Sequence, residues 1–115
     1  MMTSPLNIAV SAINAAFQMQ AASAHNIANS NTDGFKSLDA STEENVNGGV
    51  TVTISKDLQP GTSYYTSAGE EGETSNVDYA RERVTQINAR TLLTASIVSL
   101  QAYEEMQKSV IDIMA

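Results

Sequence analysis

The stretch Asn26-Ile27-Ala28-Asn29-Ser30-Asn31-Thr32-Asp33-Gly34-Phe35-Lys36 ends one structure and starts another. Its Asn, Ser and Thr side chains are the types that bond to nearby backbone at a helix end, in competition with the helical ladder. Gly34 permits a positive φ and with it a sharp reversal. Phe35, directly after the reversal, is placed to plug back onto a helix surface. On chemistry alone this is a helix-terminating turn, which predicts a helix before it and a change of direction after it.

Upstream, Ser4-Pro5 reads as the helix start, because a serine hydroxyl accepts from an orphan amide and proline at the first helical position loses nothing by lacking one. From there the apolar spacing is helical. Leu6, Ile13 and Ile27 fall on a seven-residue repeat whose remaining member is Gln20; Ala9, Ala16 and Ser23 occupy the next position of the seam, with Val10, Phe17 and Ala24 beside it. Small side chains let helix axes approach closely but bury little area. At about 25 cal/mol per Å² this helix does not offset its own ordering entropy, so it needs a partner helix. Ala22-Ser23-Ala24 looks like a signal cleavage site, but no Lys or Arg precedes it and Asn14, Gln18 and Gln20 interrupt the apolar run; an uncleaved helix is expected.

Downstream, residues 37–74 read as an acidic loop with a short β-hairpin. Asn47-Gly48-Gly49 is turn chemistry, Val50, Val52 and Ile54 alternate with Thr51, Thr53 and Ser55, and Pro60-Gly61 turns the chain back toward Tyr64-Tyr65. Gly69-Glu70-Glu71-Gly72-Glu73 is expected to be a solvated linker. Two short strands are marginal alone, so this segment is expected to lean on the helices or on neighbouring molecules.

Ser75, followed by Asp78, is expected to open a second helix that runs to residue 115. Ala80, Val84, Ile87, Thr91, Ala95, Val98, Ala102, Met106, Val110 and Ile113 advance at a near-helical period, with Leu93, Ile97 and Leu100 in a second stripe beside them. Between Val84 and Tyr103 the single charged side chain is Arg90. One partner helix does not cover so wide an apolar surface; an assembly does.

The 115-residue chain carries 13 acidic and 6 basic side chains, a net charge of -7. Residues 1–36 hold only Asp33 and Lys36 of these, whereas most of the negative charge falls on residues 37–75. Arms to be packed and a middle to be wet are implied. Nucleic acid is a poor partner for such a chain, which lacks a concentrated cationic surface. No run reaches the length of a membrane span, so the protein is expected not to be integral to a bilayer. With no cysteine and His25 as the one histidine, Cys-His pairs and multi-histidine metal sites drop out. No glycine-rich phosphate loop is present, and the acidic pairs Glu43-Glu44, Glu70-Glu71 and Glu104-Glu105 are adjacent residues that point different ways. The expectation is no enzyme, no catalytic residue, no cofactor and no metal.

The order of residues in the opening stretch adds what its chemistry does not. It resembles the N-terminal signature of the bacterial flagellar axial proteins, the basal-body rod and hook family, which carry a similar Asn-Ile-Ala-Asn-x-Asn-Thr-x-Gly-Phe-Lys run after an Ala/Gln-rich helix. Asn26, Ile27, Ala28, Asn29, Asn31, Thr32, Gly34, Phe35 and Lys36 stand at its fixed positions. The other end is similar to the family's C-terminal signature: Ser75, Asn76, Val77 and Asp78, then Ala80, Glu82, Val84, Ile87, Ala89, Ala95, Gln101, Glu105 and Met106 fall in register. Thr91, Leu93 and Ser96 stand where the family usually has arginine, tyrosine and asparagine, and Arg81 and Arg83 replace its customary acidic and apolar residues. The short middle makes the chain look more like a proximal-rod component or a reduced paralogue than a hook or distal-rod protein.

The resemblance implies a mainly α fold in which two long terminal helices pair as an antiparallel coiled coil, with a short β-hairpin and loop insertion between them. Residues 1–36 and 75–115 would form the helical core domain and 37–74 the insertion. It implies a structural subunit of the flagellar basal-body rod that polymerises through its terminal helices into the axial tube for motility. Its partners would be itself, other axial rod and hook proteins, and the flagellar type III export machinery, which would carry it from the cytoplasm to the periplasm-spanning rod without a cleaved signal peptide. Ile13, Phe17, Ile27, Val84, Ile87, Leu93, Ile97, Val98 and Met106 are the expected subunit and helix packing contacts. The alternative is a soluble adaptor or regulatory module that binds axial or export proteins without being incorporated.

Overall fold

The computed structural model describes residues 4–115, so the first three residues of the expected 1–36 arm lie outside the described residues. In chain order the elements are α1 (Pro5–Ala28), β1 (Leu38–Glu44), β2 (Val50–Lys56), β3 (Ser63–Tyr65), β4 (Glu71–Glu73) and α2 (Tyr79–Met114). Two helices thus flank a β-hairpin region, and the molecule is a rod of 80 × 24 × 14 Å.

α1 begins where its chemistry says. The Ser4 hydroxyl accepts from the Asn7 amide at 3.3 Å, and Pro5 occupies the first turn. At the other end the Asn29 amide reaches the carbonyls of His25 and Asn26, and the Asn29 side chain donates to the His25 carbonyl at 2.9 Å. Gly34 then takes φ +69°, the left-handed conformation that reverses the chain.

β1 and β2 pair antiparallel from Leu38↔Lys56 to Glu44↔Val50. The segment expected to be a loop before the Gly48-Gly49 turn is therefore a strand. Its residues are polar, but Leu38 and Ala40 stay half-buried toward the helices while Asp39 and Ser41 face outward, the alternation of a one-sided ribbon. The ribbon lies along α1. One end is bonded at Asn26, and at the other the Val50 amide donates to the Ser11 hydroxyl at 3.1 Å. A seven-residue strand and the 15 helical steps from Ser11 to Asn26 both span about 22 Å, so the two lengths match. Gly49 sits where they meet, at φ +92°, and an added Cβ would lie 2.8 Å from the Ser11 hydroxyl.

The glutamate-rich run 69–73 is also more ordered than a solvated linker. It turns at Gly69 into β4, which pairs with β3 from Ser63↔Glu73 to Tyr65↔Glu71. The Glu73 carboxylate is the reason: Lys36 and the Gly61 amide both donate to it, which ties the strand end to the rest of the molecule. α2 starts at Tyr79 and not at Ser75. Asp78 is the cap, its carboxylate accepting from the Arg81 amide at 3.2 Å, while Ser75 uses its hydroxyl locally to accept from the Val77 amide.

The contact between the helices is made of small and polar residues. Ala9, Ala16 and Ser23 are buried on α1, with Ala15, Ala22 and Asn26, and Glu82, Ala89 and Ser96 are buried on α2. Each of the rows 9–16–23 and 82–89–96 advances by seven, the spacing of a helix-on-helix seam. The large apolar stripe through Val84, Ile87 and Val98 points away from α1, because an alanine seam packs closely only against equally small residues.

Candidate functional site

The signature turn, the approach to α2 and the second hairpin meet in one polar joint. Asn26 is fully buried and uses both ends of its amide: its nitrogen donates to the Leu38 carbonyl at 2.7 Å and to Glu82 Oε1 at 2.9 Å, and its oxygen accepts from the Leu38 amide at 2.7 Å. One turn back, the Ser23 hydroxyl donates to the Glu82 carbonyl at 3.0 Å, and the Gln20 side chain donates to the Gln86 carbonyl at 3.2 Å. Buried polar groups this well matched fix the axial register of the two helices, since sliding either one leaves several groups unpaired.

Asn76 does the same for the other half of the joint. Its oxygen accepts from the Ser37 amide at 2.7 Å, and its nitrogen donates to the carbonyls of Asp57 and Gln59, each at 2.8 Å. The backbone adds Asn76 N–H to Phe35 O at 3.2 Å and Gly34 N–H to Glu73 O at 2.8 Å. Lys36 bonds to Glu73 and to the Gln59 carbonyl, and the Tyr64 hydroxyl donates to Asp33 Oδ2 at 2.6 Å. Donation from Lys36 and from the Gly61 amide holds the Glu73 carboxyl below the usual glutamate range. Donation to Asp33, with the negative charge beside it, pushes the Tyr64 hydroxyl up. His25, exposed in the last turn of α1, stands edge-on to the Phe35 ring at 5.4 Å.

The residues of the signature stretch thus have distinct tasks. Asn26 and Asn76 splice strands and loops to the helices, Asn29 caps α1 and accepts from the Thr32 hydroxyl at 3.2 Å, Gly34 reverses the chain, Phe35 packs on His25, and Lys36 holds Glu73. A cleft of about 130 Å³ opens beside the joint and includes Asp39, Asp57, Asp78, Arg81 and Glu82 in its lining. Each of its acids has a structural partner: Asp39 pairs with Arg81 at 3.1 Å, Asp57 accepts from the Gln59 amide, Asp78 caps α2 and Glu82 accepts from Asn26. Among the described residues no group of three or more His, Asp or Glu side chains is arranged to hold a metal ion.

Of the expected packing contacts, Ile13, Ile27 and Leu93 are half-buried, while Phe17, Val84, Ile87, Ile97, Val98 and Met106 are exposed. The structure therefore divides that set, leaving its larger part on the surface. The seam is formed instead by Ala9, Ala16 and Ser23, which the seven-residue spacing places on it, and by Glu82 with the small residues Ala89 and Ser96, which are not among the expected packing contacts. Their signal was available in the seven-residue spacing of small residues, but on α2 it was masked by the stronger pattern of large apolar ones. No helix of the described residues is long and apolar enough to cross a membrane.

A comparison with curated proteins gave no match. Residues 6–36, which hold nearly all of α1 and the whole signature turn, match the family model described as flagella basal body rod protein. This match supports a flagellar rod-related structural role, a basal-body location and association with other rod and hook components. Over those residues, in its first helix and signature turn, the chain is similar to the flagellar rod family.

Proposed function

We propose that this chain is a structural subunit of the bacterial flagellar basal-body rod, polymerising through its terminal helices into the axial tube. The observation that carries the reading is the inversion of size across the helices: alanine, serine and asparagine lie inside, while Phe17, Val84, Ile87, Val98 and Met106 lie outside at 56–64% exposure. A helix pair that hides its small residues and displays its large ones has its main apolar surface reserved for other molecules. In this reading the arms 1–36 and 75–115 form the core domain, 37–74 is an insertion that braces it, and Ile13, Phe17, Ile27, Val84, Ile87, Leu93, Ile97, Val98 and Met106 are the packing contacts. The order of the bonds, 26 with 82 and 20 with 86, favours an antiparallel coiled coil. Export would run through the flagellar type III apparatus without a cleaved signal. A stiff assembly of this kind transmits torque and calls for no catalysis.

The test is quantitative mass spectrometry of purified basal bodies, measuring the ratio of this chain to a known ring protein. Several copies per particle are expected; absence from intact particles, with the chain in the cytoplasm, would turn the assignment to an adaptor. Ile97→Asp places a charge in a proposed subunit contact, at a cost of several kcal/mol per contact, and should abolish incorporation. Normal incorporation of that variant would remove Ile97 from the contact set.

A further inference from the structure

The seam of α2 outruns the helix that fills it. α2 has 36 residues and α1 has 24, and every residue of α2 beyond Tyr103 is exposed. The buried row Glu82, Ala89, Ser96 advances by seven to half-buried Tyr103 and then to Val110. Met106 and Ile113 take the intermediate place in the same repeat, and an open groove is lined by Tyr103, Met106, Gln107, Val110 and Ile111.

The charges of this overhang avoid the seam. With Tyr103 and Val110 at position a and Met106 and Ile113 at d of a heptad, the flanking e and g positions are Gln107, Ser109 and Met114. Glu104, Glu105, Lys108 and Asp112 all fall at b, c or f, the outer face of a paired helix. That is the pattern of a helix with an uncharged partner on its seam. Besides the outer stripe of α2, the described residues display such a surface on α1, where no charged side chain flanks it at all. On α1, Leu6, Val10, Ile13 and Phe17 step by four, three and four; Leu6, Val10 and Phe17 are 42%, 42% and 57% exposed, and Ile13 is half-buried. The flanking Asn7 and Asn14 are uncharged, and no Asp, Glu, Lys or Arg occurs between residues 4 and 28. Tyr103–Ile113 and Leu6–Phe17 each extend about 15 Å along their helices. Because α2 is one continuous helix, its overhang does not fold back onto α1 of its own chain.

We propose that the overhang of α2, residues 103–114, docks on the Leu6–Phe17 seam of α1 in a second copy of this chain. The proposal rests on the self-assembling reading above and names the contact that joins one copy to the next. The two surfaces differ, so the contact is heterologous: each copy offers one overhang and one seam, and the pairing propagates into a ring or an open filament.

The chain contains no cysteine, so an engineered one is unique. Full-length Val10→Cys chain is mixed with tagged Met106→Cys or tagged Val110→Cys chain at a concentration where the wild type self-associates, and then oxidised. Val10 faces one of those two positions whichever way the helices run, so a mixed disulfide is expected with at least one of them. Ser41→Cys, on the exposed side of β1, should give none. Val110→Asp should weaken self-association at least tenfold and leave the helical circular dichroism of the monomer unchanged. Disulfides joining only two overhangs, undiminished self-association of Val110→Asp, or a wild type monomeric at every concentration would each overturn the docking proposal. Basal-body mass spectrometry separates this from the rod assignment: wild-type chain present in particles without the mixed disulfide leaves the rod reading standing alone, and the disulfide without incorporation leaves the contact standing alone.

Discussion

Asn26 closes the joint with a single amide side chain, and two outcomes at the scale of one residue follow from the chemistry around it. Asn26→Leu keeps the branched shape at a somewhat larger volume and removes the bonds to Leu38 and Glu82, leaving a backbone donor, a backbone acceptor and a buried carboxylate without that partner. At about 1–3 kcal/mol for each unsatisfied buried group, the loss should reach about 3 kcal/mol or more, read as a lower urea midpoint; an unchanged midpoint would mean that the amide does not brace the joint. The asparagine was legible as the first residue of an ordered signature. Glu82 was legible only as a position of the C-terminal signature; its bond to Asn26, 56 residues away, was not, because a single sequence gives no sign that a distant amide shields an acid on a helix. Glu73 was misread for the same reason and gives a pH test. Its carboxyl is held below the usual glutamate range by Lys36 and the Gly61 amide, so its contribution is present above the unfolded glutamate pKa of about 4.3 and is lost as pH falls through the depressed folded value. Proton exchange protection in β4 should fall on acidification through that window in the wild type. In Glu73→Gln it should be lower at neutral pH and lose that acid dependence; identical acid profiles for the two would dissociate Glu73 from the effect.

At the scale of elements, periodicity placed α1 well and α2 only in part. Ser4, Pro5 and Asn29 bound α1, and Gly34 reverses the chain after it, through short-range chemistry, which a sequence carries in full. The cap of α2 lay three residues beyond Ser75, since Ser75 and Asp78 offer similar hydroxyl or carboxylate chemistry and the choice is made by Asn76, whose three backbone partners hold the approach extended. Likewise, the strength of the Val84–Val98 stripe drew attention to the outer face, although the inner seam of alanine and serine decides how closely the helices approach. The seam makes a sharp prediction. Ala16 has no exposed surface, so Ala16→Leu inserts a branched side chain where the helices touch and should cost about 1–3 kcal/mol by overpacking. Ala24→Leu, at an exposed position of the same helix, should cost within about 0.5 kcal/mol. Thermal melts of the two variants at low concentration would test the pair; equal melting temperatures would place the seam elsewhere.

For the whole molecule, shape and composition point to stability shared among copies. A chain 80 Å long and 14 Å thin has little interior, and among the described residues the fully or nearly buried apolar ones are all alanines, which bury the least area of any side chain beyond glycine. Phe17, Ile87, Val98, Met106, Val110 and Ile113 remain at 54–83% exposure, so a large share of the hydrophobic free energy available to this sequence is not realised within one chain. Association that covers those side chains binds the folded form and leaves the unfolded form unaffected, which makes the melting temperature depend on concentration by mass action. Raising the wild type from about 5 µM to about 500 µM should lift its melting temperature by several degrees, because a hundredfold change in free partner is worth about 2.7 kcal/mol where one contact forms per copy. The same series with Val84→Ser, Ile87→Ser and Val98→Ser combined should be flatter, while its value at the lowest concentration should stay near that of the wild type, since those side chains already face solvent in the single chain. Calorimetric scans across the two series decide the matter: a wild-type melting temperature independent of concentration would mean that the outer apolar stripe is not an assembly surface, and the size inversion between the inside and outside of the helices would then need another cause.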